Sequence, residues 1–211
     1  MESKALDPFS NDATASNLEL CGVANGTGIA RGHILANQIG PNGRPICFVY
    51  AEDANEQNGE SVFLDVDRMK GSINFQQIAR GHAYPLFYDT LFFDLRDAFA
   101  EETKVARDRG EGIWSADVSM TGATYDSSDS PLTMQPLFPK LWRRLDTYSR
   151  NSDVVNHDSL IEFQEYLESI REERVLVVSE SRMTGFDDLV EVDGDTVKLT
   201  QLPEDMVVVS V

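Results

Sequence analysis

Arg44 is the side chain best placed to do chemistry. It follows the turn Gly40-Pro41-Asn42-Gly43 and opens an apolar run from Pro45 to Ala51. A guanidinium there can pair with an anion, although a turn arginine can also simply face solvent. Downstream, Glu52, Asp53 and Glu56 offer carboxylates that a metal could use, but their Asn, Gln and Gly neighbours read as a solvated loop. His33, His82 and His157 show no zinc spacing with Cys21 and Cys47. His82 sits in a Gly-His-Ala turn and reads as a surface or capping histidine. Lys140, Arg143 and Arg144 form the densest basic patch, read as a solvated helical face. Asp193-Gly194-Asp195-Thr196 reads as an ordinary hairpin turn. Residues 132–211 offer no nucleophile–base pair, metal cluster or phosphate loop.

Charge restricts the partners. The 211 residues carry a net charge of -18, with 10 basic and 18 acidic side chains in 1–120 and 8 and 18 in 121–211. Such a chain repels a phosphate backbone at long range, so a nucleic-acid site needs a local basic groove. No run of Lys and Arg supplies one. No apolar stretch is long enough to span a membrane, and the N-terminus has no secretory pattern, so the expected compartment is the cytoplasm. The spacing of Cys21 and Cys47 leaves pairing open, with two buried thiols the plainer expectation.

The elements that must position these side chains follow from local pattern. Residues 1–20 are polar and read as a loose lead-in. Gly32 to Ala36 and Pro45 to Ala51 read as strands of a hairpin closed by the glycine turn. Ser61 to Val66 reads as a further strand. A short helix spans Asn74 to Arg80 and stops at Gly81. A long amphipathic helix runs from Leu91 to Arg109 and stops at Gly110 and Gly112. Trp114 then reads as a core anchor. Residues 119–131 are polar and mark the boundary between a first unit, 21–118, and a C-terminal module, 132–211. In that module a helix begins at Pro136, and Ser159 with Glu162 has the pattern of a capping box. Strands are expected at Val175 to Val178, Leu189 to Val192, Thr196 to Thr200 and Met206 to Val211. The fold class is therefore α+β.

The stretch Gly71 to Ser115 has a short helix ending in Gly-x-Ala-Tyr and a long helix ending in Ala-Arg-x-x-Gly-x-Gly-Ile-Trp. With the turn at Arg44, this resembles the staphylococcal-nuclease-like (thermonuclease-like) family over about residues 28 to 116. The resemblance implies a five-stranded OB-type barrel with packed helices, here partial because the first strands have no counterpart, plus an appended C-terminal α+β module. It implies calcium-assisted hydrolysis of phosphodiester bonds in DNA or RNA. In that chemistry carboxylates hold the metal, a glutamate serves the attacking water and two arginines neutralise the phosphate. Arg44 matches one arginine, and Tyr84 or Tyr88 matches the place of aromatics that stack on a nucleotide.

The family's Arg-Leu-x-x-Ile-Asp-x-Pro-Glu segment is not found before Arg44, so this chain is expected to hold no metal of its own and to lack the activity. The other reading is a non-catalytic OB-type module that binds protein or single-stranded nucleic acid. Open barrel edges would then favour a protein partner or self-association.

Overall fold

The computed structural model describes residues 7–23, 28–40, 43–126, 135–151, 159–170 and 174–209. His157, the turn residues Pro41 and Asn42, residues 127–131 of the expected linker and the last two residues lie outside this set.

The chain folds as α+β, and among the described residues none of its three sheets closes into a barrel. Helix α1 (Asp7–Leu20) precedes the hairpin β1 (His33–Ile39) and β2 (Pro45–Tyr50). Helices α2 (Val66–Lys70) and α3 (Ile73–Ala79), the two-residue strand β3 (Phe87–Tyr88) and the long helix α4 (Phe93–Asp108) follow. The C-terminal half holds β4 (Ala123–Thr124), α5 (Pro139–Arg150), α6 (Phe163–Ser169), β5 (Arg174–Val177), β6 (Arg182–Gly185), β7 (Val190–Asp193), β8 (Thr196–Leu199) and β9 (Met206–Val209).

The hairpin forms as its turn chemistry dictates, with β1 and β2 antiparallel and a bulge between Ala36 and Gln38. The long helix also agrees with its apolar period: Leu95, Phe99, Thr103 and Ala106 are its buried residues. Gly81 and Gly110 end α3 and α4 with φ of 67° and 65°. The turn after Asp193 is the expected hairpin: Asp193 pairs with Thr196, and Gly194 takes φ 59° at the first central position.

Several local expectations are corrected. Residues 7–20 form a helix in place of a loose lead-in. Its contact with α3 is polar: buried Ser16 accepts from Gln77 Nε2 (3.2 Å) and Arg80 Nη1 (3.1 Å). Ser61 to Val66 is not a strand. Asp65 accepts the Arg68 N–H at 2.8 Å and starts α2, leaving the β-rich run without a partner edge. The second C-terminal helix begins at Phe163, not at Ser159, with Leu160 buried in the turn before it. Lys140 is 8% exposed in place of solvated, its ammonium 5.4 Å from the Phe186 ring centroid.

The two halves share their sheets. Strand β3 pairs in parallel with β9, giving the order β3-β9-β5-β6, and β4 pairs with β8, giving β4-β8-β7. The segment read as a polar linker is interior over 119–126: Ser119, Ala123 and Tyr125 are buried. One core surrounds Leu141, Tyr148 and Phe163. A second surrounds Phe99, whose ring lies 6.1 Å from Phe48 of β2, 5.5 Å from Phe75 of α3 and 6.4 Å from Phe87 of β3. No helix among the described residues is long and apolar enough to cross a membrane.

Candidate functional site

The hairpin is the element that presents Arg44. Gly43 turns the chain with φ 72°, and the Arg44 carbonyl accepts the Gly40 N–H at 2.8 Å. The Arg44 side chain is exposed, with no ion pair among the described residues.

At its other end the hairpin is tied down. His33 and Tyr50, a cross-strand pair, stack with ring centroids 4.7 Å apart and planes 4° from parallel. His33 Nδ1 lies 2.8 Å from the Glu52 carbonyl oxygen, which makes Nδ1 the donor. Tyr50 donates to the Arg68 carbonyl (3.1 Å), and burial pushes the Tyr50 hydroxyl above its ordinary pKa. Arg68 grips Glu56 with both terminal guanidinium nitrogens, Nη1 to Oε1 at 2.6 Å and Nη2 to Oε2 at 3.1 Å. Hydrogen bonding from Arg68 holds the Glu56 carboxyl below its usual range. Asp53 faces Arg31 at 3.4 Å. Asp53 and Glu56 are thus paired with arginines near the hairpin base, and Glu60 accepts the Gln57 N–H within the loop. Among the described residues no three His, Cys, Asp or Glu side chains converge as metal ligands.

Asn74 on α3 is a contributor that the sequence did not reveal. Its Oδ1 accepts the Val49 N–H at 2.9 Å and its Nδ2 donates to the Cys47 carbonyl at 3.3 Å. One side chain thereby imitates a neighbouring strand along β2. A lone asparagine acting on backbone 25 residues away leaves no pattern to read.

Tyr84 is built into the interior. Its ring meets Trp114 edge-on at 5.0 Å and Phe138 at 6.1 Å. Its hydroxyl donates to Asp117 Oδ1 at 2.5 Å, and the same oxygen accepts from Ser119 N (3.2 Å) and Oγ (2.5 Å). Ser119 Oγ in turn accepts the Phe138 N–H at 2.8 Å, so the network bridges the two halves of the chain. Burial first, and the Asp117 charge second, push the Tyr84 hydroxyl far above the ordinary tyrosine range. Tyr88 is 43% exposed at the sheet edge. Just beyond it a cavity of 390 Å³ opens between the start of α4 and the sheet, with Leu176, Val207, Phe92, Phe93 and Arg96 in its lining.

The sign of the Tyr84 shift gives an expected result. The native state keeps this proton where an unfolded tyrosine loses it, so the stability it contributes is intact below about pH 10 and falls as pH rises further. Tyr84→Phe is expected to cost about 1–3 kcal/mol at neutral pH. It should also flatten the loss of thermal midpoint above pH 10, leaving the part due to Tyr50 and Tyr148, which are raised as well. Melting curves at pH 7 to 11 check it, and identical slopes for both proteins would refute the assignment.

The acids are unevenly placed. Glu19 and Glu52 bracket a stretch with no Asp or Glu, which contains the whole hairpin and carries Arg31 and Arg44. Lys70 stands exposed at the end of α2 without an ion pair among the described residues. Arg44 thus lies exposed within an acid-free stretch of sequence at the hairpin tip, and Tyr84 and Tyr88 belong to other elements. Comparison with protein-family models, with curated proteins and with solved structures gives no match.

Proposed function

We propose that this chain is staphylococcal-nuclease-like, with β1, β2, α3 and α4 as parts of a partial OB-type arrangement, and that it acts by binding and not by cutting. One observation supports this above the others: Arg44 stands exposed at the tip of an open two-stranded hairpin, while Asp53 and Glu56 are paired with Arg31 and Arg68 near its base. Calcium takes six to eight oxygen ligands. The described residues do not fit that demand, so no step is drawn through the metal that the resemblance implies. Phosphodiester hydrolysis also needs a group to take the proton of the attacking water, and an isolated arginine cannot do this. Arg44 can still contact a phosphate or a carboxylate, because it is exposed and the hairpin that carries it has no Asp or Glu.

A plasmid-nicking assay with calcium tests this reading. The expected outcome is no cutting above a protein-free blank. Robust cutting that disappears in Arg44→Ala would overturn it.

A second reading, a protein-binding module, is favoured by the hairpin edge. A two-stranded sheet leaves a strand edge unpaired, and such an edge is a template for another strand.

A further inference from the structure

We infer that the outer edge of β1 accepts an extended polypeptide segment as a third strand, one with alternating apolar residues and an acidic side chain beside Arg44. This rests on the binding reading above.

The hydrogen bonds decide which edge is open. Val49 N–H and the Cys47 carbonyl both point at Asn74, away from β1. In an antiparallel ladder, residues opposite such outward-pointing groups also turn their N–H and C=O outward. Those opposite residues are Ile34, paired with Val49, and Ala36, paired with Cys47. Asn74 therefore occupies the β2 edge, while Ile34 and Ala36 project backbone donors and acceptors that no described residue meets.

The side chains agree with a strand as occupant. Ile34 and Val49 share the face turned from the core and are 51% and 37% exposed, and Ile39 is 75% exposed near the tip. From His33 to Ile39 the strand has no Lys, Asp, Glu or Pro, the residues that usually protect an edge. A third strand would pair the orphan groups and cover part of this apolar face.

Charge selects the segment. Arg31 at the base already faces Asp53, whereas Arg44 at the tip has no ion pair among the described residues. Arg31 and Arg44 contribute +2 to a chain of net -18, so the rest carries -20. A second copy would bring its own acidic body against this one, and a nucleic-acid strand has no amide ladder to offer. A peptide strand with an acid at the tip end satisfies both edge and charge.

The test uses the full chain and a synthetic peptide of alternating Val and Thr with Asp at one end, followed by amide NMR and hydrogen exchange. Exchange at Ile34 and Ala36 is expected to slow by about tenfold or more when the peptide saturates. Replacing the peptide's Asp by Lys should weaken binding about threefold, as for an exposed ion pair, and Arg44→Glu should reverse that preference. Ala36→Pro removes an outward N–H without touching the β1–β2 ladder, so binding should be lost while the Leu35 and Phe48 resonances hold. Unchanged exchange at Ile34 and Ala36 with millimolar peptide, binding that survives Ala36→Pro, or a single-stranded oligonucleotide that protects these amides in the peptide's stead would each overturn the inference. The nicking assay is independent of all of them, so either reading can fail alone.

Discussion

Gly112→Ala is expected to destabilise the protein by roughly 2–5 kcal/mol. Gly112 has φ 55°, and a Cβ there would sit 2.2 Å from the Gly81 carbonyl oxygen. Gly81 returns the constraint: its φ is 67°, and its Cβ would lie 2.3 Å from the Glu111 carbonyl oxygen. The two backbones cross so closely that Ile113 N–H bonds the Gly81 carbonyl at 2.9 Å. A left-handed conformation costs an L-residue about 1–2 kcal/mol, and forcing atoms into a packed site costs about 1–3 kcal/mol more. Gly110→Ala is the internal control. It has φ 65° but nothing within 4 Å of a built Cβ, so only the conformational part, about 1–2 kcal/mol, applies. Urea unfolding checks the pair through the shift in midpoint at unchanged slope. Equal effects at Gly110 and Gly112 would show that the crossing is looser than described.

Phe99→Ala is expected to cost about 3–5 kcal/mol. The ring fills the space among Phe48, Phe75 and Phe87, and so joins the hairpin, α3 and the edge of the four-stranded sheet. Its removal should also act unevenly. Phe48 is the inward-facing residue through which β2 reaches this cluster, so hairpin amides should lose protection before those around Tyr148. Native-state hydrogen exchange reads the difference, and a uniform loss across both cores would refute the hairpin's dependence on Phe99.

The parts of the fold that were legible in the sequence are those whose signals are local. A glycine turn before a β-rich run specified the hairpin, apolar spacing specified α4, and Asp193-Gly194 specified the β7–β8 turn. Illegible parts depend on distant polar partners. Helix α1 meets α3 through Ser16, a residue no apolar period would select, besides packing Phe9 against the cluster around Trp114. Strand β6 has Met183 as its one large apolar side chain, itself 39% exposed, and is defined by backbone pairing with β5. Ser119 belongs to a polar stretch by composition, yet it is fully buried because its hydroxyl, N–H and carbonyl are all bonded. The candidate site divides the same way. Arg44 was visible at its turn, whereas the Asn74 clamp and the Arg68–Glu56 pair arise only once the chain has folded.

The parallel pairing of β3 with β9 sets an order of events during synthesis. Phe87 and Tyr88 meet Val207 and Val208, 120 residues further along. The helices and hairpin can emerge and associate early, held by local contacts. The sheet edge at Phe87 must wait until β9 has been made, and closing so long a loop is slow relative to local contacts. During that interval the Phe87 strand is uncovered beside the exposed rings of Phe92 and Phe93. This nascent stage is when the chain is most open to aggregation or to a chaperone.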